Sequence, residues 1–203
     1  YSDIIGESVG FFHRDAGATA DYLQGSDQSL GPIRSLADPG SLSIVGDSHR
    51  PYPDAYAGRY EFALVRALTT TNPGATDLDK EPTVLWDYTG FVFVDGRFVF
   101  SLDGPGGYGG EHWNSTVLSH AFYLAIEGGS NRTTGLNVDG VGDAGRDEVE
   151  HIFFRALTDL MPPAATLPLA AAAIRQAAAD LAAGGAAQRA VDRALLAVGL
   201  PPA

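Results

Sequence analysis

The sequence predicts a mainly α protein: a helical bundle preceded by a long irregular N-terminal region and carrying an inserted β-hairpin. Three observations lead there. From residue 114 to about 200, apolar residues recur at helical spacing in blocks that end at glycine or proline pairs. From about residue 15 to 60, Gly, Asp, Ser and Pro leave only short apolar pieces. In FVFVDGRFVF, residues 91–100, two β-branched and aromatic runs flank Asp95-Gly96, a strong short-range hairpin signal.

The elements follow in order. YSDIIGESVGFFHRD opens in the middle of a helical pattern, with Ile4, Ile5, Ser8, Val9 and Phe12 on one expected apolar face. It begins without Met, and the chain reads as cut from something longer. A loop as long as the one that follows is usually functional or tied to a ligand. YEFALVRALT, residues 60–69, reads as a short helix. Asn114 or Ser115 is the expected cap of a helix carrying Val117, Leu118, Ala121, Phe122 and Ala125, closed by Gly128-Gly129. A second bundle helix is expected over about 147–160, with Val149, Ile152, Phe153, Ala156 and Leu157 facing the core and Pro162-Pro163 stopping it. Thr166 caps a third, alanine-rich helix with Pro168 in its first turn, ended by Gly184-Gly185. A fourth runs from about 187 to 198, before Gly199. Short connections and complementary apolar stripes make these a bundle.

Composition narrows the function classes. The 203 residues are 45% hydrophobic and 19% charged, enough to bury a core. A net charge of −12 argues against a nucleic-acid partner, which needs clustered Lys and Arg. With no cysteine, disulfides and thiolate zinc sites are excluded. No apolar run reaches the roughly 18 residues of a membrane span. Two glycosylation-type triplets, at Asn114 and Asn131, read as accidental.

GGEHWNSTVLSHAFYLAIEGG, GLNVDGVGDAGRDEVEHIFFRALTDLMPPAAT, AAAAIRQAAADL and AVDRALLAVGL resemble, in order, the C-terminal helical domain of the thermolysin family of zinc metallopeptidases. YSDIIG, IRSLADP and PYPDAYAGRY resemble further family segments upstream. The resemblance leaves out roughly residues 61–106, which then read as an insertion containing the hairpin. It leads into the His112 loop, and a lid over the cleft and decoration of the outer surface remain equally open.

What the resemblance implies is a divided active site. In the family, zinc is held by two histidines of an HExxH helix and by a glutamate on the next helix, and the HExxH glutamate is the general base. None of the five histidines here (His13, His49, His112, His120, His151) sits in such a motif. Aligned on Ser2-Asp3-Ile4, the glutamate ligand falls just upstream of Tyr1, so the zinc ligands are expected in the N-terminal catalytic portion of the same protein. Asp3 resembles the aspartate that accepts a hydrogen bond from a zinc-bound histidine. Arg34 resembles the arginine that grips the substrate carbonyl, a task suited to a rigid, permanently charged fork of donors. Ile33 is a possible wall of the side-chain pocket. His112 resembles the histidine that donates to the oxyanion of the tetrahedral intermediate, where charge develops only in the transition state. His120 and His151 are expected to be structural or exposed, His13 and His49 superficial. Tyr108 and Trp113 flank the site and either pack or shape substrate access.

The departures also matter. Where the family orients its loop histidine with an aspartate, Gly107 stands; Asp103 folds back or the role is lost. At the family's acidic calcium cluster stand Gly10, Leu23 and Ser26, with only Asp21 keeping a carboxylate, so a double calcium site is not expected. The resulting expectation is the C-terminal part of a secreted zinc metalloendopeptidase acting on peptide or protein substrates, inactive as an isolated chain. The alternative is a non-catalytic relative serving as a binding or interaction module.

Overall fold

The computed structural model describes residues 1–17, 20–26, 28–29, 31–43, 51–59, 113–162 and 165–202, together with the backbone of 64–66, 84–86, 93–94, 97–98 and 111–112. The chain divides into two compact units, Tyr1–Arg59 with Ser115–Ala203, and Tyr60–Asn114.

The first unit is helical, as its apolar periodicity requires. Helix α1 (Ser2–Phe12) precedes the irregular region. Helix α2 (Glu111–Glu127) begins in the last residues of the second unit, and α3 (Arg146–Arg155), α4 (Leu167–Ala182) and α5 (Ala186–Ala197) follow it. α4 packs between α3 and α5. Its core face is almost entirely alanine (Ala170, Ala171, Ala173, Ala177, Ala178 and Ala182) with Ile174. Alanine has the best helix propensity and the shortest side chain, so α4 forms readily and its neighbours come close. The partners supply the bulk: Phe122 from α2, Ile152 and Phe153 from α3, Val191 and Leu195 from α5 are all buried. Phe122 and Phe153 meet edge to face, centroids 5.2 Å apart. The Thr166 side chain accepts from Leu169 N–H, the expected N-cap.

Several expectations need correction. α2 begins at Glu111, so Asn114 is a buried residue inside the helix and not its cap. The first turn carries Glu111, whose charge suits a helix N-terminus. α3 ends at Arg155 and passes into a π-helical turn, Ala156–Leu160, whose changed phase leaves Leu157 37% exposed. On α1 the buried residues are Asp3, Ile4 and Glu7, while Val9 and Phe12 are exposed. The line Ile5–Ser8–Val9–Phe12 instead borders an apolar groove with Glu150, His151 and Phe154 of α3. Polar contacts to the irregular region, described below, set the roll of α1.

That region contains two-residue strands, β1 (Leu23–Gln24) and β2 (Arg34–Ser35), paired antiparallel. In the second unit β3 (Leu64–Arg66) pairs with β4 (Val84–Trp86). The expected helix over 60–69 is therefore a strand at its centre. A run this short is periodically ambiguous, and a distant partner decides it. β5 (Phe93–Val94) pairs with β6 (Arg97–Phe98) in the register Phe93↔Phe98 and Val94↔Arg97, which is the register of a two-residue Asp-Gly turn. β7 (Gly129–Ser130) and β8 (Asn137–Val138) form a small hairpin after α2.

Gly128, at φ +75°, turns the chain out of α2, and Gly140 then passes against the helix end. A Cβ on Gly140 would overlap the Gly128 nitrogen and the Ile126 carbonyl oxygen and lie 2.6 Å from the Glu127 carbonyl carbon. These are backbone atoms that cannot swing away. Gly140→Ala is therefore expected to destabilise the fold by about 1–3 kcal/mol or more, the range for overpacking. Urea unfolding checks this as a lower midpoint at unchanged slope.

Candidate functional site

The site is built where α1 meets β2. Asp3 lies in the first turn of α1 and is buried. Arg34 lies on β2, its side chain 20% exposed. Arg34 Nε donates to Asp3 Oδ2 at 2.7 Å and Nη2 to Asp3 Oδ1 at 2.8 Å, a bidentate, charge-assisted pair. This bond raises the guanidinium pKa above its ordinary value against the opposing effect of desolvation. Tyr52 is buried in the segment 51–59. Ile33 precedes Arg34, half-buried, and its N–H donates to Gln24 O at 2.8 Å.

β2 is held from several sides. Gln24 opposes Arg34 in the ladder and its Nε2 donates to Asp3 O at 3.2 Å and to Glu7 Oε1 at 2.8 Å. Glu7 also accepts from the Tyr22 N–H at 3.0 Å. Burial pushes the Glu7 carboxyl pKa upward, and these two donors partly offset it. Tyr22 adopts φ +60°, uncommon for a residue with a Cβ, and this N–H bond helps fix it there. Its hydroxyl donates to Glu127 Oε1 at 2.7 Å and accepts from Arg146 Nη1 at 2.8 Å. Arg146 itself is buried, over the Phe11 ring at 3.7 Å and 2.6 Å from Glu127 Oε1. Here, where the family's acidic cluster was sought, Asp21 turns its carboxylate to its own loop, accepting from Leu23 N–H at 3.0 Å. Among the described residues no group of three or more His, Cys, Asp or Glu is placed to hold a metal ion.

His120 connects β2 to the bundle. It is buried on α2, and its Nδ1 lies 2.8 Å from Leu36 O. A carbonyl accepts only, so Nδ1 carries the proton. The segment 51–59 is tied equally firmly. Thr116 Oγ1 donates to Pro53 O at 2.7 Å, Asn131 Nδ2 to Asp54 O at 2.7 Å, and Tyr56 N–H to Val198 O at 2.8 Å. Asn131, the second glycosylation-type asparagine, is wholly buried in this role.

Of the residues singled out in the sequence, Asp3, Arg34 and Ile33 come together. That Asp3 grips Arg34 was not anticipated. Each carboxylate oxygen retains capacity for a second donor, so this contact and a role toward a histidine are compatible. His112 falls in the first turn of α2 and not in the loop before it. Its side chain, and His49, Asp103, Gly107, Tyr108, Gly109 and Gly110, lie outside the described residues. Trp113 is buried. Of the remaining histidines, His13 and His151 are exposed.

Residues 1–200 match the family model for the thermolysin metallopeptidase, alpha-helical domain. The chain belongs to this family. It is 38% identical over 94 residues to neutral protease B of Bacillus subtilis (strain 168), covering 46% of this chain and 16% of that protein. It is 41% identical over 73 residues to the thermostable neutral protease NprT of Geobacillus stearothermophilus, and equally so to thermolysin of Alicyclobacillus acidocaldarius subsp. acidocaldarius. These alignments take in 36% of this chain and 12% of each relative. The matched stretches thus span only a small part of the length of these relatives.

The His120 contact makes the stability of this domain pH-dependent. Burial lowers the folded imidazole pKa below the ordinary value near 6.5. Between the folded and ordinary values the unfolded chain binds more protons, so this group's contribution to stability is lost as pH falls through about 6.5. The buried Glu7, shifted upward, contributes with the opposite sign. The expected outcome is therefore a difference: urea midpoints of wild type and His120→Asn converge as pH drops from 8 to 5.

Proposed function

We propose that this chain is the substrate-binding and oxyanion-stabilising part of a secreted zinc metalloendopeptidase that hydrolyses peptide bonds. The observation that carries the reading is the Asp3–Arg34 pair. It leaves a part-exposed guanidinium with unused donors, held in one orientation by a buried carboxylate. A clamp for a peptide carbonyl needs a fixed donor of this kind, because loose positioning forfeits rate. Family membership supplies the reaction class.

In this reading the zinc and the general base belong to the remainder of the full-length protein. Arg34 holds the substrate carbonyl on the leaving-group side, and Ile33 forms a wall of the adjacent side-chain pocket. Asp3 orients Arg34 and keeps acceptor capacity for a metal-bound histidine. His112 donates to the oxyanion of the tetrahedral intermediate.

A second reading, a non-catalytic relative working as a binding module, is favoured by one observation: Gly107 stands where the family's orienting aspartate is expected. Mutagenesis of the full-length protein separates them. His112→Ala is expected to lower kcat by about 10²–10³-fold, the typical cost of one oxyanion donor. Peptidase activity unchanged in that variant, or absent from wild type, sinks the catalytic reading. The isolated chain is expected to bind zinc only weakly and to cleave nothing, as assayed by metal titration and peptide hydrolysis.

A further inference from the structure

We infer that Gln24 is a positioning residue for Arg34: its side chain grips the turn of α1 that carries Asp3, and its main chain pairs with the strand that carries Arg34. The inference rests on the reading of Arg34 as the substrate arginine and adds a residue that this reading does not contain.

A bidentate pair fixes a guanidinium relative to its carboxylate and nothing more. Asp3 and Arg34 stand on separate elements, 31 residues apart in the chain. Where the guanidinium points therefore depends on how β2 lies along α1. A two-residue strand does not settle that by itself. Gln24 bonds to both elements. Through its backbone it is the ladder partner of Arg34, and its carbonyl accepts from the Ile33 N–H at 2.8 Å. Through its side chain it reaches α1, where Nε2 donates to Asp3 O at 3.2 Å and to Glu7 Oε1 at 2.8 Å. Asp3, Arg34 and Gln24 thus close a ring of contacts: carboxylate to guanidinium, strand to strand, and amide to helix carbonyl.

The chemistry of each member suits this task. A primary amide carries two N–H donors on one nitrogen, enough for both acceptors. The Glu7 carboxylate accepts from two sides at once: Oε1 takes the Gln24 amide and Oε2 takes the Tyr22 N–H at 3.0 Å. Glu7 is buried, and a buried carboxylate is costly unless donors meet it. These two donors both come from the chain at β1, so α1 holds that chain at Tyr22 and again at Gln24. Asp3 and Glu7 lie one helical turn apart on the same face of α1. Two anchors at that spacing fix the direction of β1 as well as its place, and β2 follows through the ladder. A binding residue whose support is locked in this way presents its donors in one orientation.

The test uses the full-length protein and begins with Gln24→Met, which keeps a side chain of similar length and removes its donors. The expected result is a kcat/KM for peptide hydrolysis about 10-fold below wild type, the size of one lost hydrogen bond to a charged group. In an Arg34→Ala background the same change should have no further effect, since Gln24 acts through the guanidinium. A loss of equal size in both backgrounds, or none in either, overturns the inference. Gln24→Glu is the second variant, and it decides the matter if Gln24→Met does not fold. It sets a carboxylate against Glu7 and should lower kcat/KM at least as far. Adding Glu7→Gln should then recover most of the loss, because the amide–carboxylate bond reforms in the reverse sense; no recovery overturns the inference. One measurement needs no activity: the Arg34 Nε–H resonance in a 15N spectrum. A shift in Gln24→Met or Gln24→Glu that returns toward wild type in the Glu7→Gln/Gln24→Glu pair supports the positioning role; an unmoved resonance overturns it. If the wild-type protein hydrolyses no peptide, the reading of Arg34 as the substrate arginine fails separately and the spectrum still decides whether Gln24 positions it.

Discussion

The bidentate bond between Asp3 and Arg34 is the contact on which the arrangement of the first unit turns. It joins the start of α1 to a two-residue strand that has almost no other means of standing still. A two-stranded ladder of this length is not stable in water by itself. Its position comes from side chains: the carboxylate of Asp3, the amide of Gln24 and the imidazole of His120, each reaching a different neighbour. The same contact explains why α1 buries Asp3 and Glu7 and turns Val9 and Phe12 outward. Buried charge must be paired or hydrogen-bonded, and these two carboxylates find their donors only on the side where β1 and β2 lie. Burying the apolar line of α1 instead would leave Asp3 and Arg34 without each other.

The long irregular region follows one rule throughout. Backbone that lies in neither helix nor sheet still needs partners for its N–H and C=O groups when buried. Here side chains from helices α1 and α2 and from the loop after β7 supply them: Glu7 for Tyr22, Thr116 for Pro53, Asn131 for Asp54, His120 for Leu36. Each of these polar residues sits among apolar neighbours and would be costly there without its loop. The loop in turn would be loose without them. The helices and the irregular region therefore specify one another, which is how a segment poor in apolar residues comes to present a defined arginine.

A second consequence concerns Arg146. Its guanidinium lies on the Phe11 ring and reaches Glu127 and the Tyr22 hydroxyl, tying together the end of α1, the residue before β1, the end of α2 and the start of α3. A single permanently charged group makes all of these contacts.

The helices of the bundle were legible because their physics is local. The apolar repeat, the Thr166 cap, the glycine pairs after Glu127 and Ala183 and the prolines after Met161 each act within a few residues, and the structure keeps them close to where the pattern puts them. The Phe93–Phe98 pairing was legible for the same reason. Family resemblance, read from several ordered segments, was legible too, and the family model bears it out. Other features were decided by contacts distant in sequence. Leu64–Arg66 is a strand because Val84–Trp86 lies beside it. Leu157 leaves the core because a π turn shifts its phase. Asp3 meets Arg34 across a separation that no periodicity spans. Sequence alone determined the helical class and the family. Tertiary structure alone decided which polar residues meet, because a hydrogen bond between distant residues depends on where the whole chain has placed both ends.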